Sequence, residues 1–357
     1  MLKRSRVLAC VAIASITAIG GVSVVRAGPL IPGLPDAPAI PEVAGAPGLQ
    51  QAHDPEQTAP DAKQGSSVPT VCNGGVLKPG GELQGFANSL SAGETGCLRG
   101  KIYEGGVELR KPGVGLRSYP GKRATISGGQ VRISPLATGA TLKKLRLVSD
   151  QFSPLIYASG AVIAENEITN NNSDICVLVD NAPGSAVPTG VVIRQNRIHN
   201  CGRLPATNYD HGIYVAEAQG TVIRDNLIYD NADRGVQLYP EAQGTHVFDN
   251  VIDGNGQGVI FGRQSDHNVV EDNIISNSQV RHNVESAASS AGDNVVRGNC
   301  LWSPNDGYYG GEPQGSGVLP SPGFALGSNT VADPRFKNRV NFRPAPGSPC
   351  ARMGPSR

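Results

Sequence analysis

The sequence predicts an all-β chain wound into a right-handed parallel β-helix, a single-stranded solenoid with disulfide-pinned caps. Three observations lead there: a fixed pattern recurs along the chain, its alternation has the period of strands, and the composition favours strands and tight turns. The pattern reads Val162-Ile163-Ala164-Glu165-Asn166-Glu167-Ile168, Val192-Ile193-Arg194-Gln195-Asn196-Arg197-Ile198 and Val222-Ile223-Arg224-Asp225-Asn226-Leu227-Ile228. It returns as His246-Val247-Phe248-Asp249-Asn250-Val251-Ile252, Val269-Val270-Glu271-Asp272-Asn273-Ile274-Ile275 and Val295-Val296-Arg297-Gly298-Asn299-Cys300-Leu301. Its asparagines fall 30, 30, 24, 23 and 26 residues apart, marking six consecutive coils. Charged residues are only 17% and aromatics 5%, against 46 glycines, which is unlike a helical or doubly wound enzyme.

Each unit alternates apolar with polar residues, which excludes the 3.6-residue stripe of helical solenoids and disfavours a leucine-rich horseshoe. After the Asn comes a turn (Thr169-Asn170-Asn171-Asn172, His199-Asn200, Asp230-Asn231, Asp253-Gly254-Asn255, Ser276-Asn277) and then a second strand. The second strands are Ile175-Cys176-Val177-Leu178-Val179, His211-Gly212-Ile213-Tyr214-Val215, Arg234-Gly235-Val236-Gln237-Leu238 and Gln257-Gly258-Val259-Ile260-Phe261. The expectation is two strands and two or three turns per coil. Stacked strands lie about 4.7–4.9 Å apart. At that spacing Asn166, Asn196, Asn226, Asn250, Asn273 and Asn299 can form a ladder, each amide donating to one neighbour and accepting from the other. These asparagines are therefore read as structural.

In chain order, Lys3, Arg4 and Arg6 precede an apolar run from Val7 to Val25 that closes on Val25-Arg26-Ala27 before Gly28. This predicts a cleaved secretory leader over 1–27; Gly20-Gly21 and the lack of a basic stop-transfer cluster weigh against a spanning helix. Without the leader 27 basic residues face 30 acidic ones, a formal charge of −3 that points away from nucleic acid. Residues 28–70 are rich in Pro, Ala, Gly and Gln without apolar periodicity and read as a disordered linker. The β-helix is assigned to 71–357, with an N-terminal cap over 71–100 and a Pro- and Gly-containing tail, 302–357, folded back over the last coil. Capping is needed because a solenoid otherwise ends in raw strand edges. Six cysteines remain after the leader, Cys72, Cys97, Cys176, Cys201, Cys300 and Cys350, an even number that suits an exported, extracellular or envelope-associated chain with three bridges. Connectivity does not follow from sequence; sequential pairing is favoured because each pair flanks one segment, with Cys300–Cys350 bracketing the tail. A monomer is expected.

The chain over residues 71–357 resembles the pectate-lyase-like superfamily of right-handed β-helix proteins. The likeness rests on Leu90-Ser91-Ala92-Gly93-Glu94-Thr95-Gly96-Cys97-Leu98-Arg99-Gly100-Lys101-Ile102-Tyr103, on Leu116-Arg117-Ser118-Tyr119-Pro120-Gly121-Lys122-Arg123-Ala124, on Ala332-Asp333-Pro334-Arg335-Phe336 and on Asn341-Phe342-Arg343-Pro344-Ala345-Pro346-Gly347-Ser348-Pro349. These motifs specify architecture. The superfamily holds pectate and alginate lyases, uronan epimerases and glycosidases, so the resemblance implies an extended polysaccharide as partner without choosing a reaction.

Uronan lyases and epimerases need a cation on the substrate carboxylate and a base for the C5 proton. The densest suitable cluster lies where the second strands start: Tyr209-Asp210-His211-Gly212, Asp233-Arg234-Gly235, then Gln257 and Arg281-His282. Stacked coils place Asp174, Asp210 and Asp233 in one column, with His211, Arg234, Gln257 and Arg281 in the next. His211 and Arg234, with Asp210 and Asp233, are the candidate catalytic residues. Against this, His211 shares strand parity with Ile213 and Val215, and Arg234 with Val236 and Leu238, which would turn both inward. The stacked carboxylates of Asp174, Asp210 and Asp233 would repel one another and so favour a bound Ca²⁺. Outward positions Asp180, Tyr214, Gln237 and Tyr239, with Arg263 beyond, are candidates for stacking on sugar rings and binding their hydroxyls or carboxylates. The insertion from Cys201 to Asn208 would overhang this face as a wall. Tyr209-Asp210-His211 is only a faint echo of the Asp-Pro-His signature of alginate epimerases, and no dense Lys and Arg cluster of the pectate lyase kind is present. The expected function is a uronan lyase or C5-epimerase; the rival is a non-catalytic polysaccharide-binding or cell-surface adhesion module.

Overall fold

A computed structural model of the chain describes residues 70–287, 292–304 and 313–355. The leader over 1–27 and residues 28–69 of the linker lie outside the described residues. Among the described residues, no helix is long and apolar enough to cross a membrane.

Parallel strands stack into a solenoid with three faces. Eleven strands form the first face, running from Val76–Leu77 and Thr95–Leu98 through Val192–Arg194 and Val222–Arg224 to Ala325–Leu326. The other strands form a second sheet bent about Thr125–Ile133, a strand of nine residues. Its first residues pair with Arg146–Val148 and its last with Leu155–Ile156, so two faces leave from one strand. The second face continues through Glu167–Thr169, Arg197–His199, Leu227–Tyr229, Val251–Asp253, Ile274–Ser276 and Cys300–Trp302 to Thr330–Val331. The third continues through Val177–Val179, Ile213–Val215, Arg234–Leu238 and Gln257–Phe261 to Val284–Ser286.

Each of these coils thus carries three strands rather than the expected two, because the seven-residue pattern is broken in its middle. The residue before each Asn has a left-handed backbone, with φ of 58° at Glu165, 56° at Gln195, 57° at Asp225, 53° at Asp249 and 55° at Asp272. One such residue followed by Asn turns the chain through a tight corner between the first and second faces.

At that corner Asn166 Nδ2 donates to Asn196 Oδ1 (3.1 Å), and Asn196, Asn226, Asn250 and Asn273 each donate to the next at 2.9–3.0 Å. Asn299 donates to Asn329 (3.0 Å), a further rung that the repeat pattern did not reveal. Each Oδ1 also takes a backbone N–H from the neighbouring coil, as Asn196 Oδ1 does from Asn166 (2.9 Å). The buried amides are saturated, as their removal from water requires. Shorter ladders, Asn231 to Asn255 (2.8 Å) and Asn268 to Asn294 (2.8 Å), stitch the other two corners.

The core is built from inward rows, among them Ile163, Ile193, Ile223 and Val247 on the first face and Ile168, Ile198 and Ile228 on the second, all fully buried. Disulfides join Cys72 to Cys97, Cys176 to Cys201 and Cys300 to Cys350. At the N-terminal end the helix Leu83–Ser89, whose Glu82 cap accepts from the Gln84 and Gly85 amides, buries Leu83 and Ala87 in the same core cluster as Leu98.

The tail departs from expectation. Beyond covering the last coil, it runs back along the outside of the second face as far as the coil of Arg197, whose Nη1 donates to the Val340 carbonyl (2.5 Å). Phe342 is 1% exposed and packs with Val251, Ile274, Leu227 and Tyr229. Arg339 Nη2 donates to Asp230 Oδ1 (2.7 Å) and Asp253 Oδ2 (2.9 Å). The cause is legible in the outward row: Glu167 and Arg197 give way to Leu227, Val251, Ile274 and Cys300, an apolar strip that must be shielded from water.

Candidate functional site

The candidate residues gather on the outside of the third face. Register sets Arg234 beside Gln257, and Leu155, Leu178, Tyr214, Gln237, Ile260 and Glu285 in one outward row. Counting back from the Val259–Val284 pair brings His282, not Arg281, beside Gln257. The parity argument that would turn His211 and Arg234 inward fails at a column of glycines. A Cβ at Gly235 would meet Ile252 Cγ2 at 2.6 Å and Asn255 Nδ2 at 3.0 Å, so it is the glycine that faces the core side of the corner. The alternation resets there. Arg234 accordingly bonds Gln237 on the outer row, and the His211 ring lies edge-on to Tyr214 with centroids 5.3 Å apart.

His211 is 2% exposed, and its Nδ1 has no hydrogen-bond partner among the described residues. Burial, then the neighbouring Arg234 charge, hold its pKa down at about 3, so the ring is neutral at physiological pH. Arg234, 8% exposed, is held from its own face: Nε donates to Gln257 Oε1 (3.0 Å) and Nη1 to Gln237 Oε1 (2.7 Å). From the overhanging loop, Asn208 accepts Nη1 on its carbonyl oxygen (2.8 Å) and Nη2 on Oδ1 (2.6 Å).

That loop is anchored by two of the predicted catalytic carboxylates. Asp210 accepts from Arg203 Nε (2.6 Å), Arg203 Nη2 (3.0 Å) and Thr207 Oγ1 (3.0 Å), and although burial opposes it these donors hold its pKa below the usual carboxylate range. Asp233 accepts the backbone N–H of Asn208 (2.9 Å), Tyr209 (2.9 Å) and Asp210 (3.0 Å). Asp174 accepts the Ile175 N–H (2.8 Å), and burial raises its pKa. The expected Ca²⁺ set of Asp174, Asp210 and Asp233 is not assembled. Among the described residues the one grouping of three ligand atoms within 4.8 Å is Asp266, His267 and Asp293, at another corner and largely exposed. The oxygens of Asp210 and Asp233 are engaged in shaping the loop.

Of the predicted binding residues, Tyr214, Gln237 and Tyr239 sit together on the third face, and a Cβ at Gly262 would meet the Tyr239 ring at 2.4 Å. Burial pushes the Tyr214 hydroxyl up to about 12. Asp180 is half-buried, its Oδ1 taking the Asn181 N–H (2.8 Å), while Arg263 is exposed beyond the strand. Sequence reasoning named Arg281-His282 but set Arg281 in the column, and it missed Glu285; His282 and Glu285 are both buried, their Nδ1 and Oε2 2.7 Å apart, with Arg281 Nη2 3.1 Å from the same carboxylate. Correct register counting would have set His282 in the column. It also missed Arg203 and Asn208, which no repeat marks.

A family model described as a right handed beta helix region matches residues 155–317. The chain is a right-handed parallel β-helix protein, the architecture its motifs imply. No curated protein matches it. Among solved structures it is similar to the Azotobacter vinelandii mannuronan C-5 epimerase AlgE4 A-module, at 16% identity and TM-score 0.45, over 68% of this chain and 77% of that one. It is also similar to the catalytic domain of a GH87 alpha-1,3-glucanase in complex with nigerose, at 11% identity and TM-score 0.43, over 77% of this chain and 59% of that one. A third is the PL6 family alginate lyase AlyGC, at 14% identity and TM-score 0.30, over 79% of this chain and 56% of that one. The likeness is one of fold.

Proposed function

We infer that the protein is a carbohydrate-active β-helix that works on a uronate-containing polysaccharide by removing the proton at C5. The observation that carries this reading is the pairing, on adjacent rungs of one outer face, of a neutral buried imidazole with a guanidinium held in place by two glutamines. Removing the C5 proton leaves its electron pair on the carboxylate as an enolate, which Arg234 would stabilise. His211 would take the proton. A substrate carboxylate on Arg234 would offset the cationic field that helps hold His211 neutral, making the ring a better base once substrate is bound. Reprotonation of C5 gives an epimerised residue; expulsion of the 4-linked oxygen gives an unsaturated end. Tyr214 and Tyr239 would supply sugar contacts, and Asp210 and Asp233 act through the loop they position.

The test is incubation of the protein with mannuronan, guluronan, polygalacturonate and neutral glucans, with and without calcium, following ultraviolet absorbance of unsaturated ends and NMR of the sugar. Unsaturated ends or inverted C5 signals that vanish in folded His211→Ala and Arg234→Ala proteins support the reading. Unchanged activity in both variants overturns the site, and binding without chemical change makes the protein a recognition module.

A further inference from the structure

The contacts of Arg234 carry one step more, which rests on the uronate reading of its site. The two glutamines fix the guanidinium from below, and the Nη1–Nη2 edge is left facing the loop at 202–209. On that edge Asn208 places two oxygens, its carbonyl at 2.8 Å from Nη1 and its Oδ1 at 2.6 Å from Nη2. Two acceptors across the two terminal nitrogens reproduce the fork in which a carboxylate binds arginine. Every one of these acceptors is a neutral amide oxygen. Among the described residues no carboxylate lies within ion-pair distance of Arg234, so a guanidinium only 8% exposed has no contacting counter-charge. Two carboxylates act on it from further off: Asp233, whose oxygens are engaged by the loop backbone and Thr207, and Glu285, which is held by His282 and Arg281. A buried cation whose direct hydrogen-bond partners are all neutral gains when an anion takes the place of one of them.

We propose that the side-chain oxygen of Asn208 stands where a substrate carboxylate oxygen binds Arg234 Nη2, and that this residue sets how tightly carboxylated sugars bind. Asn208 is suited to yield. It is exposed, and its side chain can swing away while its backbone N–H remains on Asp233. The stand-in keeps the guanidinium hydrogen-bonded when no sugar is present, and it competes with every carboxylated ligand that arrives. A neutral sugar gains nothing by displacing it, so the same residue discriminates in favour of uronates.

The experiment is calorimetric titration of wild-type, Asn208→Gly, Asn208→Asp and Arg234→Gln proteins with mannuronate, guluronate and galacturonate tetrasaccharides, and with cellotetraose as the neutral control. Glycine accepts the φ of 74° at this position and removes only the competing side-chain oxygen. Asn208→Gly is expected to tighten uronate binding about tenfold, the worth of one hydrogen bond to a charged group, and to leave cellotetraose unchanged. Asn208→Asp places a true carboxylate on Arg234 and is expected to weaken uronate binding by about tenfold or more. The two variants move in opposite directions, so a loop that was merely loosened would not reproduce the pair, and either one alone still decides if the other does not fold. Equal affinity in wild-type and both Asn208 variants, with binding lost in Arg234→Gln, overturns the stand-in and leaves the uronate site in place. Uronate binding that survives Arg234→Gln, or that is absent from every protein, overturns both.

Discussion

The column of acidic corners offers the sharpest quantitative test of the electrostatics of this solenoid. Asp225, Asp249 and Asp272 occupy the same left-handed position on consecutive coils, about 4.8 Å apart along the axis. Burial, then the like charges of Asp225 and Asp272, push the pKa of Asp249 up to about 6, from an ordinary 3.8. A carboxyl whose pKa is higher folded than unfolded favours the folded state when protonated. Its contribution is fully present below about pH 4 and is lost as the pH rises through about 6. Converted directly, the displacement would correspond to about 3 kcal/mol at neutral pH; the group is only half-buried, and solvent screening leaves about 1 kcal/mol. Asp249→Asn removes the charge, retains the side-chain shape and suits the φ of 53°. Urea unfolding at pH 8 should show the variant about 1 kcal/mol more stable than wild type, and the difference should shrink toward zero at pH 4. Any preference of Asn for the left-handed corner is independent of pH, so the change in the difference isolates the charge. Equal differences at the two pH values would refute the column as a source of repulsion.

Other perturbations probe the remaining links. Phe342→Ala opens a hole between the tail and Val251 and Ile274, and a loss of about 3–4 kcal/mol is expected together with faster protease cleavage within residues 333–355. Asn226→Ala removes the acceptor of the Asn196 backbone N–H and side-chain amide and one of the donors to Asn250 Oδ1, for an expected loss of about 2–4 kcal/mol in denaturant unfolding, well beyond a surface substitution. Replacing Cys300 and Cys350 together by alanine opens a closed segment with a sequence separation of 50 residues, and a stability decrease of about 2–4 kcal/mol by chemical unfolding is expected without change in the third-face site.

The fold was legible because a coil repeats its own mistakes and successes: one ambiguous segment becomes convincing when five more agree at the same register. Periodicity could not show where each segment bends, since Glu165 or Gln195 in the left-handed region looks like any polar residue between two apolar ones. The same blindness to backbone geometry misdirected the parity of His211 and Arg234, which the glycines at 212, 235 and 258 reset. The path of the tail was available in principle. The residue following each ladder Asn changes from Glu167 and Arg197 to Leu227, Val251, Ile274 and Cys300, and an outward apolar row on a solvated solenoid calls for a cover. The loop contacts were not available at all, because Arg203 to Asp210 and Asn208 to Arg234 join a unique insertion to a repeat, and no internal comparison exists for a segment that occurs once.

The two-residue corner beside the asparagine ladder keeps the same length in coils whose asparagines lie from 23 to 30 residues apart. All the surplus is accommodated in the corners that flank the third face: long between Val179 and Val192 in one coil, long between His199 and Ile213 in the next, short in those that follow. Heredity in such a molecule is divided by geometry. Insertions and deletions arriving at one edge would disturb every coil's alignment, while at the other two they change only what overhangs the face where Arg234 and His211 lie.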